Sequence, residues 1–319
     1  MTVLEHYQKA FKKLKRAPQF GGAPHKPILL LAVLEGVARD EIKSNAIVIT
    51  PELVLCFKEF WSKLVVTPHQ MNFALPFFHL QSEGFWKLIC KPGHSLALTT
   101  SNSIKSLRSL HESILWAELD VRLFDLMRDP RSNMQLREVL LEKYFPMSND
   151  VAIDYEPLRQ LEEAILGENQ HTYSTQIDEL MQRLPPEQAE EELFVRGSLF
   201  KREVPKQYNY TCAISRMRIV TNTSVQMVDA CHIVPFAISK DDTIRNGISL
   251  SPTLHRAFDR GLIAISNDYT VLVSQHVYED SGSSHLLVHR DKPILQPTHS
   301  GYLPAIENIS WHRKEVFLG

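Results

Sequence analysis

No apolar run in this 319-residue chain approaches the roughly 18 residues that a membrane span requires. The longest, KPILLLAVLEGVA, still carries Lys26 and Glu35. The N-terminus, MTVLEHYQKAFKKLKR, lacks an apolar region followed by a small-residue cleavage site, so the cytoplasm is the expected location. Four cysteines, Cys56, Cys90, Cys212 and Cys231, stand apart without a CxxC pair, which argues against a disulfide framework and against a tetrahedral structural zinc site. Internal repeats and low-complexity tracts are also missing.

Net charge is scarce, at −2, and taken whole it argues against nucleic acid. Divided along the chain it reads differently. Residues 1–147 carry 19 Lys and Arg against 14 Asp and Glu, residues 148–195 carry 2 against 12, and residues 196–319 carry 14 against 11. Two mildly basic ends suited to a phosphate backbone therefore flank an acidic middle. Length allows two domains with cores of their own, and the 44% apolar and 23% charged fractions are those of an ordinary globular protein.

The first 147 residues read as mostly helix with a small sheet. Leu4, Tyr7, Phe11 and Leu14 recur at helical spacing over residues 2–16, and QFGGAPHKP breaks the pattern before it resumes at ILLLAVLEG. A third helix is expected over 51–66 behind Thr50 and Pro51, a short strand pair through SEGFW, and helix over 104–145. The stretch 148–195 reads as an acidic linker with two short helices. Beyond it, Arg196, Lys201, Arg202, Lys206, Arg216 and Arg218 could line a phosphate track or be scattered surface cations.

Residues 208–274 concentrate the chemistry. SRMRIV, TNTS and VQMVDACHIV read as strand, turn and strand, with His232 near the end of the second strand. Asn246 follows in a polar loop after Asp241 and Asp242. His255 and Asp259, four apart in SPTLHRAFDRGL, project from one helix face and can reach a shared ion. Asp229 lies three before His232, so strand alternation places the two on opposite faces, and joint approach to one metal would need a bulge at Ala230 or Cys231. The tail from His276 suggests strand, loop and strand, then a closing helix around Trp311; His285, His289 and His312 are left unassigned.

The order DACHIVPF, then RNG, then LHRAFDRG resembles the HNH nucleases, built as a β-hairpin, a loop and a helix around one divalent metal. The resemblance implies His232 as general base, Asn246 as the residue that orients the loop and polarises that imidazole, and Asp229, His255 and Asp259 around the metal. His with carboxylate suits Mg, Mn, Ni or Zn without choosing among them. Where the family often has His or Asp before the base, this chain has Cys231.

A second resemblance lies in the N-terminal part. APHKPILLLAVLEG, ALPFFHLQSEGFW and LLEKYF are similar to the DNA sulfur-binding domain of McrA-like, phosphorothioate-dependent type IV restriction endonucleases. That resemblance implies a sulfur pocket at His25, Lys26, Leu75, Pro76 and His79, with Leu75 and Phe78 replacing the usual Tyr and Trp. Physically, an apolar cup prefers the weakly hydrated sulfur over oxygen, and a cation such as Lys26 would offset the phosphate charge. The expectation is thus an α+β protein: a sulfur-binding domain at 1–147, a linker at 148–195 and a ββα-metal nuclease at 196–319. It would cut phosphorothioated double-stranded DNA. Two alternatives stay open: a nuclease for otherwise modified or unmodified DNA, and a DNA-binding regulator with an inert HNH fold. Double-strand cutting with one site per chain would call for a homodimer or two binding events.

Overall fold

A computed structural model describes residues 1–94, 104, 106–146, 152–219, 226–280 and 285–319. The fold is α+β, and it divides into two compact units: Met1–Arg159 with Leu184–Val195, and Gln160–Arg183 with Arg196–Gly319. Among the described residues no helix is long and apolar enough to cross a membrane.

The first unit opens with α1 (Val3–Phe11), started by a reciprocal capping box between Thr2 and Glu5. It ends before Leu14, short of the expected residue 16. Next comes α2 (His25–Ala38), whose residues Lys26 to Leu34 are all buried because several later helices of this unit pack around it. The strand β1 (Ala46–Ile47) leads to α3 (Pro51–Leu64), capped by the Thr50 hydroxyl accepting from the Leu53 amide. Then follow α4 (Ala74–His79), β2 (Trp86–Cys90), α5 (Leu107–Ser113), β3 (Ile114–Leu119), α6 (Val121–Arg128) and α7 (Pro130–Tyr144).

Two local expectations fail here. SEGFW does not turn between two strands: the residues before it are helical, and β2 pairs instead with β3, which also pairs with β1. Residues 114–119 are therefore strand inside a stretch that reads as helix. Burial of Ile114, Ala117 and Leu119 beside exposed Leu115 and Glu118 suits a sheet face, and tertiary pairing outweighs local propensity.

The acidic stretch forms three helices, α8 (Glu156–Gly167), α9 (Gln170–Arg183) and the 22-residue α10 (Pro186–Gln207). The two units share this stretch, with divisions inside α8, after α9 and inside α10. The cause is packing: Ile165, Tyr173 and Ile177 are fully buried, as are Val195, Leu199 and Phe200.

The second unit continues with β4 (Asp229–His232), α11 (Phe236–Ser239), β5 (Gly247–Leu250), α12 (Pro252–Asp259), β6 (Ile263–Ile265), β7 (Val271–Val273) and α13 (Ile306–Glu315). Among the described residues the expected hairpin before His232 is not formed. Its turn, TNTS, lies outside the described residues; residues 215–219 are not strand, because Cys212–Met217 turns on itself, with the Cys212 amide donating to the Met217 carbonyl at 2.9 Å. β4 pairs antiparallel with β5 across the intervening loop, so the order is strand, loop, strand, helix. Among the described residues the tail forms no strand beyond β7, and it closes with α13 as expected.

α13 supports α12 from behind. His312 stacks on Phe258 with ring centroids 3.6 Å apart, and its Nε2 bonds the Phe258 carbonyl at 3.0 Å. Gly261, in the left-handed region at φ 68°, ends the α12 turn; a Cβ there would lie 2.0 Å from the Val316 carbonyl oxygen.

Candidate active site

β4 and β5 pair in regular register from Asp229↔Leu250 to His232↔Gly247, with no bulge. Alternation therefore sends Asp229 and Cys231 to one face and His232 to the other. The two faces carry different chemistry.

On one face, His232 is held on two sides. Phe200 of α10 stacks on its ring at 3.9 Å and 11°, and its Nε2 lies 2.8 Å from Asp242 Oδ1. Gly247 permits this, since a Cβ there would fall 2.5 Å from Val204 and 2.9 Å from Phe200. Because the carboxylate accepts, Nε2 is the donor and Nδ1 of a neutral ring keeps its lone pair. Among the described residues Nδ1 makes no hydrogen bond, and the side chain is 23% exposed against 3% for Asp242.

Asn246, fully buried, ties the loop to the strand. Its Nδ2 donates to the Val234 and Asp241 carbonyls at 2.9 Å each, its Oδ1 accepts from the Val234 amide at 2.9 Å, and its own carbonyl accepts from the Ile233 amide. The side chain thus organises the loop but does not reach the imidazole. The expectation that its amide polarises His232 is corrected: Asp242 is the partner, because Asn246 is consumed by backbone groups that the loop cannot otherwise satisfy.

On the opposite face, one helical turn sets His255 and Asp259 side by side, with Nε2 to Oδ2 at 3.5 Å. Cys231 joins them: a ligand atom from each of Cys231, His255 and Asp259 lies within 4.8 Å of the others. Asp229 falls outside that group and instead faces His255 Nδ1 at 3.2 Å. It is placed to orient the imidazole rather than to sit beside Asp259, the arrangement common around metal-bound histidine. Burial and the nearby Asp259 and Asp229 carboxylates push the Cys231 thiol well above its ordinary pKa. The donor set of sulfur, nitrogen and oxygen, with no cationic side chain in the group, fits a divalent cation. A cleft of about 380 Å³ opens here, lined by Asp229, Pro252, His255, Arg256, Asp259 and Arg260.

Four of these residues escaped the sequence reading of the site: Cys231 as a ligand atom, Asp242 as the partner of His232, and Arg256 and Arg260 in the cleft. Parity with Asp229 signals the first, and four-residue spacing from α12 to its C-cap the last two. Of the six cations considered for a phosphate track, Arg202 pairs with Glu162 and Glu203, Lys206 pairs with Glu203 at 3.1 Å, and Arg216 and Arg218 bond backbone carbonyls.

In the first unit, His25 and Lys26 begin α2, and Leu75, Pro76 and His79 lie on α4, which packs against it. Lys26 is buried and pairs with Glu83, with Ser82 Oγ at 2.9 Å. As a lone counter-charge for phosphate it is therefore already balanced. His25 Nε2 donates to the Gln70 carbonyl at 2.9 Å, and its ring centroid lies 4.6 Å from that of Trp61 in a T-shaped pair. Burial lowers its pKa to about 4, so it is neutral near pH 7. Burial and Lys26 also lower the pKa of His79, while Pro76 is buried and Leu75 half-buried.

With this geometry in place, comparison with known proteins adds a family. Residues 212–266 match the HNH endonuclease family, so the second unit carries an HNH endonuclease domain. Two solved structures are similar to parts of the chain. One is described as a modification-dependent TagI restriction endonuclease, at 19% identity and TM-score 0.28, covering 37% of each chain. The other is the sulfur-binding domain of SprMcrA complexed with phosphorothioated DNA, at 20% identity and TM-score 0.37, covering 50% of this chain and 93% of that one. The chain thus spans little more than a third of the restriction endonuclease it matches. No curated protein matches it.

Proposed function

We propose that this chain is a modification-dependent DNA endonuclease in which the second unit hydrolyses phosphodiester bonds and the first selects phosphorothioated DNA. The observation that carries the cutting half is the division of β4: a base held through Nε2 on one face, a Cys/His/Asp group on the other, within a matched HNH domain.

His232 Nδ1 takes the proton from an attacking water, while Asp242 keeps Nε2 protonated and steadies the charge that then forms on the ring. Phe200 fixes the ring plane, and Asn246 fixes the loop that carries Asp242. Cys231, His255 and Asp259 would hold one divalent ion, which when bound supplies charge neutralisation at the scissile phosphate and the leaving oxygen. Arg256 and Arg260 flank the same cleft and would grip the phosphate strand.

For the recognising half, the support is the residue set itself. A neutral His25, a charge-balanced Lys26, Pro76 and Leu75 make a weakly polar lining, which disfavours a strongly hydrated oxygen more than a sulfur. The pairing of Lys26 with Glu83 also favours a second reading, in which this region senses another modification of DNA. Side-by-side cleavage of phosphorothioated and plain duplexes with Mg, Mn, Ni and Zn separates the two. Selective cutting of the phosphorothioated duplex supports the sulfur reading; equal cutting of both rejects it.

A further inference from the structure

The HNH match covers Cys231 but does not say what a thiol does there. Its Sγ lies 3.9 Å from Asp259 Oδ1, and His255 Nε2 lies 3.5 Å from Asp259 Oδ2. The sulfur position is set by the sheet, since Cys231 is fully buried and paired in register with Ile248 of β5. On the helix side, His255 is fixed through Nδ1 by Asp229, which leaves Nε2 directed at the same small volume. Three donors of three elements thus converge from a strand and a helix, with the fourth side open to the cleft.

Donor chemistry then decides which ion fits. Magnesium asks for octahedral oxygen ligands, keeps its waters and gains little from sulfur. Zinc, cobalt and nickel accept thiolate and imidazole readily, and three protein ligands with one open position is the arrangement of catalytic zinc sites. Resting on the one-metal reading above, we infer that Cys231 is a thiolate ligand and that it makes this a site for zinc-class ions from which magnesium is excluded. The hard carboxylate of Asp259 is then a single ligand beside two softer ones, and the site discriminates by ligand type.

Cobalt titration of the full chain tests this, because a thiolate bound to cobalt gives a near-ultraviolet charge-transfer absorption separate from the visible bands of the ion. The wild type is expected to show both, and a large excess of magnesium is expected to displace neither. Cys231→Ser should lose the charge-transfer absorption and weaken zinc binding by about 100-fold. Cys231→Asp supplies a second, acidic variant and should shift preference toward magnesium by at least about tenfold. Circular dichroism confirms that each variant is folded. Cobalt bound with visible bands but no charge-transfer absorption would overturn the thiolate inference and leave the one-metal reading intact. Cobalt binding that is absent, or unchanged in His255→Ala, would overturn both.

Discussion

The two regions of interest handle charge in opposite ways. In the second unit each reactive side chain is held at one atom and left open at another: His232 by Asp242 through Nε2, His255 by Asp229 through Nδ1. In the first unit the corresponding groups are closed off, with Lys26 against Glu83 and Ser82 and His25 buried in its neutral form. Chemistry needs a lone pair or an open ligand position, whereas discrimination of a weakly hydrated atom needs a lining with no unspent charge. On the reading proposed above, that is the difference between cutting and choosing where to cut.

The comparison breaks most visibly at His232. His232→Ala is expected to lower single-turnover cleavage by about 10³-fold while DNA binding, read by gel shift, persists. Lost binding would show that the residue supports the fold instead. In the first unit the large effect should fall on stability. Lys26→Met alone leaves Glu83 buried without its partner and should cost about 3 kcal/mol, whereas Lys26→Met with Glu83→Leu should recover most of it. Hydrogen exchange across α2 and α4 measures both.

Asp242→Asn sharpens the cutting side. The amide cannot hold the ring as firmly, and cleavage should fall by about 100-fold, less than for loss of the base itself. Smaller again is the acid response of the first unit. The His25 pKa is about 4 when folded and 6.5 as its reference, so the unfolded chain takes up the proton first as pH falls. Stability contributed by neutral His25 is complete well above pH 6.5 and should decline by about 2 kcal/mol by pH 5. Fluorescence of the adjacent Trp61 follows the change, and His25→Gln should flatten it.

The site was legible where chemistry depends on local order. His255 and Asp259 share a helix turn by spacing alone, and strand alternation alone separates Asp229 from His232. What escaped was set by distant segments. Nothing near Asp242 announces that α10 will bring Phe200 flat against His232, or that Asn246 will be spent on Val234 and Asp241. The same holds for β3, whose strand state depends on β1 and β2 on either side. The acidic stretch reads as a spacer because its charges dominate the composition, while its few apolar residues, such as Ile165 and Ile177, do the packing.

The family match ends at residue 266, but the supports of its helix do not. Phe258 is covered by His312, Gly261 takes the Leu318 amide on its carbonyl at 2.9 Å, and Ser274 bonds the Leu318 carbonyl. On the other side, Gly247 and His232 lean on Phe200. A fragment excised at 212–266 would therefore lose both braces and bare Phe258 to water. Transplanting this nuclease into another protein would require the chain from Arg196 to the tail that closes over Gly261.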